Sequence, residues 1–95
     1  VAVSARTIAL TGADQLVCTG GAIYRGIVVR ETAAAVAVVR VYDGTTTAGT
    51  LIDEVSLAAS GSASLWYGDG GIWCSVGIFV DVVGPAAVEG SVRVG

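Results

Sequence analysis

Few side chains in this sequence have types or spacings that could do chemistry. Cys18 and Cys74 are the only thiols, and there is no histidine. A zinc site needs four closely spaced ligands, so two distant cysteines do not make one. A Cys18–Cys74 disulfide requires that their two strands face each other; otherwise each acts as a small hydrophobe, the free form being the expectation. Among the carboxylates, Asp53 and Glu54 are adjacent, which on a strand sends them to opposite faces. Asp14, Asp43 and Asp69 fall in turn-forming stretches, where aspartate bonds to nearby backbone; Asp81 lies within an alternating run. No twelve-residue calcium loop is present. Serine and threonine are plentiful, but with no histidine and no lysine they lack a base to activate them. Gly20-Gly21 and Gly68–Gly71 match neither the P-loop nor the dinucleotide fingerprint. The expectation is a non-enzymatic protein with no catalytic, cofactor-binding or metal-binding residues.

Aromatic residues remain. Trp66, Tyr67, Trp73 and Phe79 cluster in the last third of the chain. Aromatic side chains anchor interfaces, so these four are the candidate contact residues. The competing reading covers them inside a two-layer fold.

Strands must position these residues. Ile72, Cys74, Val76, Ile78, Val80 and Val82 recur at every second place, with Trp73, Ser75, Gly77, Phe79 and Asp81 opposite. That period belongs to a β-strand. Gly84-Pro85 breaks the run, and Val88, Val92 and Val94 alternate with Glu89, Ser91 and Arg93. The segment Gly71–Gly95 therefore reads as a long hairpin whose apolar face needs a covering layer.

The preceding chain supplies that layer. Val1–Leu10 reads as an edge strand or a terminal arm, followed by a turn at Thr11–Asp14 and a strand over Gln15–Cys18. Ala22–Glu31 places Ile23, Ile27 and Val29 on one face and Tyr24, Val28 and Arg30 on the other. Gly26, at its centre, marks a bulge or a close backbone approach. Ala35–Asp43 reads as a strand rather than a helix on its β-branched valines. Asp43–Gly49 is a loop. Thr50–Leu57 is a strand with Leu51, Val55 and Leu57 in phase and Asp53 on the same side. Ser62–Tyr67 is a short strand, and Tyr67–Gly71 contains an Asp-Gly hairpin turn. The prediction is all-β: a single small antiparallel β-sandwich over residues 1–95, with about seven or eight strands, jelly-roll or immunoglobulin-like.

Composition narrows the function. The chain is 54% hydrophobic and 14% charged, against about 25% charged for typical domains. A small domain has little interior, so the excess points to burial against other subunits or partners. A net charge of −3 with scattered arginines argues against nucleic acid. No apolar run approaches the roughly 20 residues of a helical membrane span. Val1–Leu10 lacks a secretory leader's pattern, so synthesis in the host cytoplasm is expected.

At Val41–Gly44 (VYDG), Gly49–Ile52 (GTLI) and the closing Gly71–Val94, the chain resembles small all-β phage virion proteins of the capsid-decoration, head-fibre and tail-accessory kinds. The resemblance extends from about Cys18 onward. It implies a virion protein that binds the outside of an assembled shell or tail, often as a trimer. The first expectation within that is a capsid decoration (minor capsid) protein on the capsid exterior, a homo-oligomer whose partner is the major capsid protein. The alternative is a tail or fibre adhesion module that binds a host-surface ligand through Asp43–Gly49 and Gly68–Gly71.

Overall fold

The computed structural model describes residues 6–68, 70–83 and 87–95. Within them lie nine strands and no helix: β1 (Arg6–Ala9), β2 (Gln15–Thr19), β3 (Ala22–Glu31), β4 (Ala37–Asp43), β5 (Thr50–Leu57), β6 (Ser62–Trp66), β7 (Ile72–Cys74), β8 (Gly77–Val83) and β9 (Val88–Val94). One sheet has the order β1-β9-β3-β6, with β7 also paired to β3; the other has β2-β8-β4-β5. Every pairing is antiparallel. The expected β-sandwich is present.

Its connectivity differs from the sequence reading in two places. The run Ile72–Val82 is not one strand, and it does not form a hairpin with Val88–Val94. β7 pairs with β3 in the first sheet, β8 joins β2 and β4 in the second, and β9 returns to the first. The alternation itself is real, because Cys74, Ile78 and Val80 are all fully buried. Between them the chain crosses the sandwich, leaving Val76 exposed. Asp43 explains why the crossing is tolerated. Its carboxylate accepts the backbone N–H groups of Ser75 (3.2 Å), Val76 (3.0 Å) and Gly77 (3.4 Å), which a broken ladder would otherwise orphan. Gly77 is required there, since a Cβ would lie 2.7 Å from the Cys18 carbonyl oxygen. The Gly84-Pro85 break lies outside the described residues.

The second correction concerns Tyr67–Gly71, which does not turn a hairpin. β6 and β7 both run antiparallel to β3, along the same edge of it. They are one strand line from which a loop is extruded opposite the Arg25 bulge. The Tyr67 N–H bonds the Arg25 carbonyl (2.7 Å), and Arg25 Nη1 donates to the Gly68 carbonyl (3.2 Å). Asp69 is outside the described residues.

Counting β6 and β7 as one, the chain pairs β1 with β9, β2 with β8, β3 with β6/β7 and β4 with β5. These pairs are nested about the Asp43–Thr50 turn. A long hairpin wrapped into two four-stranded sheets in this order is a jelly roll, which resolves the two alternatives left by the sequence.

Among the described residues three register slips interrupt the sheets, and two of them change the side-chain phase expected from the sequence. At Gly26 the register against β9 slips, so Ala22 and Tyr24 point inward before it, and Ile27 and Val29 after it. The grouping of Ile23 with Ile27, and of Tyr24 with Val28, is thereby overturned. Gly26 has φ +145°, and a Cβ there would collide with the Leu65 carbonyl, so both expected reasons for a glycine hold. A second slip between β4 and β5 turns Leu51 outward, while Val55 and Leu57 stay in the core. β4 begins at Ala37 rather than Ala35, because residues 33–35 form a bend in which Ala34 takes φ 55°. Glu31 holds that bend: it accepts the N–H groups of Ala33 (2.7 Å), Ala35 (3.0 Å) and, across the fold, Ser60 (2.9 Å). These bonds, Ser60's foremost, hold the Glu31 carboxyl below the usual carboxylate range. β1 is an edge strand over Arg6–Ala9; the rest of the proposed arm, Val1–Ala5, is outside the described residues.

Candidate interaction surfaces

The four aromatic candidates do not form one site. Trp66 and Trp73 stand on the outer face of the first sheet, opposite Gly26 and Ile23 of β3. They are 56% and 64% exposed. Trp73 rests on Gly21, where a Cβ would come within 2.6 and 2.9 Å of its benzo ring. Glycine at position 21 thus gives the indole a seat on backbone while its remaining surface faces solvent.

Tyr67 follows Trp66 in the chain but turns toward the gap between the sheets. Its hydroxyl donates to Asp53 Oδ2 (2.9 Å), as does the hydroxyl of the fully buried Tyr24 (2.9 Å). The two rings pack with centroids 5.8 Å apart, tilted by 50°. Asp53 Oδ1 accepts its neighbour's N–H, from Glu54 (3.0 Å). This clasp joins β3 and the β6–β7 loop of one sheet to β5 of the other. It accounts for the aspartate that sequence phase placed on the core side. Burial, and then the adjacent carboxylate, push the Tyr24 hydroxyl well above its ordinary pKa; Tyr67 moves the same way for the same causes. Both therefore remain donors at any physiological pH.

Phe79 lies on the outer face of the opposite sheet, away from the tryptophans. The register aligns Leu16, Phe79, Tyr42 and Leu51 as direct neighbours across all four strands. Leu16 and Leu51 are exposed, and Tyr42 and Phe79 half-buried. The adjacent row is charged: Asp81 faces Arg40, which pairs with Glu54 at 3.1 Å. Asp14 completes it and also accepts the Val82 N–H (2.9 Å). Partial burial and the neighbouring Asp14 raise the Asp81 pKa. Sequence reading missed Leu16, Tyr42 and Leu51, whose alignment emerges only from strand register.

The remaining polar candidates are structural. Asp14 and Asp43 cap backbone as expected of turn aspartates, but their partners are distant in sequence rather than local. Asp53 and Glu54 do face opposite ways, one to the clasp and the other to Arg40. Cys18 and Cys74 are free thiols in opposing sheets. Burial, then Asp43 and Cys18, push the Cys74 thiol up to about 11, so it stays protonated and unreactive at neutral pH. Among the described residues no three metal-ligating side chains gather.

No family model, no curated protein and no solved structure shows significant similarity to this chain.

Proposed function

We propose that the protein is a phage virion structural subunit, a capsid decoration (minor capsid) protein that docks on the major capsid protein and reinforces the shell. The observation carrying this reading is the placement of Trp66 and Trp73. Two indoles more than half exposed on a braced sheet face are what an interface anchor requires before its partner arrives. The row of Leu16, Phe79, Tyr42 and Leu51 gives the opposite sheet a second apolar surface, so the fold can bridge two neighbours. The action is mechanical: many copies bury these surfaces at repeated positions, and no covalent step is involved.

Quantitative mass spectrometry of purified particles of the encoding phage tests this. Hundreds of copies per particle, scaled to the major capsid protein, are expected. A handful would move the subunit to the tail and favour the adhesion reading; absence would overturn both.

A further inference from the structure

Each sheet of a sandwich has two edges, and natural proteins guard theirs with charge, proline, bulges or brevity, because an unpaired strand edge invites another strand. Three of the four edges here are guarded. β5 carries Asp53 and Glu54 and a register slip. β2 is interrupted by a slip between Leu16 and Cys18. β1, over its described residues, carries the charge of Arg6. The fourth edge is the β6–β7 line, which the extruded loop breaks after Trp66; its β6 part reads Ser-Ala-Ser-Leu-Trp over Ser62–Trp66, with no charge, no proline and an unbroken register against β3.

We infer that β6 pairs with the β6 strand of a second copy, antiparallel and centred on Ser64, so that the first sheets of two subunits become one. The sequence of the strand selects a second copy as occupant. In that register Ala63 faces the partner subunit's Leu65, and Ser62 faces the partner subunit's Trp66, with Ser64 opposite itself. Small residues meet large ones on both faces, the complementarity that cross-strand neighbours need. The contact is isologous, so it closes at two copies and does not propagate into a fibre. Uncharged Ser62 and Ser64, exposed on the outer face, place no like charges opposite each other across the axis. This inference is independent of the virion reading.

The test places charge at the two-fold. Ser64 is exposed, so Ser64→Lys and Ser64→Glu leave the monomer fold intact, checked by circular dichroism and Tm. Sedimentation velocity at tens of micromolar is expected to show a dimer for the parent protein and a monomer for each variant alone. An equimolar mixture of the two variants is expected to restore the dimer, because lysine then faces glutamate. A monomeric parent, variants that remain dimeric alone, or a mixture that stays monomeric would each overturn the assignment. So would a trimer insensitive to either charge.

Discussion

Trp66 and Tyr67 are consecutive aromatic residues with opposite fates, and the contrast divides the molecule into what holds it together and what it shows to others. Tyr67 is tied by its hydroxyl to Asp53 on the other sheet. Trp66 is turned outward, over half exposed, and contributes to the surface alone. The same division runs through the fold. Tyr24, Asp53, Asp43 and Glu31 form the inner group, each bonding across strands or sheets. Trp66, Trp73, Leu16 and Leu51 form the outer one, exposed and away from the buried core. Inner residues should govern stability and outer ones association.

The strongest way to break that division is at an inner backbone contact. Gly26→Ala places a Cβ against the Leu65 carbonyl at a positive φ, and should cost more than about 4 kcal/mol or abolish folding, read by urea denaturation. Removing one clasp hydroxyl is milder. Tyr24→Phe should cost about 1–2 kcal/mol, because Asp53 loses a buried donor. Tyr67→Phe should cost less, since its hydroxyl is nearer to solvent. Relieving strain tests the same group with the opposite sign: Ala34→Gly, at φ 55°, should gain about 0.5–1 kcal/mol. The smallest stability change belongs to the outer group. Trp73→Ala should shift stability by no more than about 1 kcal/mol while weakening the proposed attachment to shells. Collapse of the isolated fold in that variant would place Trp73 with the inner residues.

Acid sharpens the comparison further. Glu31 and Asp43 are both held below their ordinary pKa by backbone donors, Ser60 foremost for the first and Val76 for the second. A carboxylate with a depressed folded pKa contributes stability above its unfolded pKa and loses it as pH falls through the folded value. Tm should therefore decline as pH drops below about 4. Glu31→Gln and Asp43→Asn should each lower Tm at neutral pH and flatten that decline. Asp81 has the reverse sign, its pKa being raised by burial and by Asp14, so Asp81→Asn should slightly stabilise the protein at pH 7.

Much of the fold was legible because local alternation survives folding. β3 and β5 match their expected ranges to the residue, and the buried Val88, Val92 and Val94 follow the expected period. What failed was pairing. The unbroken apolar rhythm from Ile72 to Val82 gives no sign that the chain changes sheets after Cys74, because both sheets bury the same face into one core. The device that permits the change, Asp43, lies more than thirty residues earlier in the chain. Bulges misled in the same manner: one additional residue at Gly26 reverses every face assignment beyond it. Among the contact candidates, the outward position of Trp73 was legible from period alone. The separation of Phe79 from the tryptophans was hidden until the strands were assigned to sheets.

The nesting of the strand pairs has a kinetic consequence. Bringing β1 to β9 in an open chain would close a loop of nearly the full length, at an entropic cost that rises with length. The β4–β5 turn spans only Asp43 to Thr50, so it is the least costly contact to form first. Once it has formed, β3 and β6 are held near each other, and the same holds outward to β2 with β8 and β1 with β9. The molecule should zip from its middle to its ends, so that mutations near the Asp43–Thr50 turn slow folding and those in β1 mainly hasten unfolding.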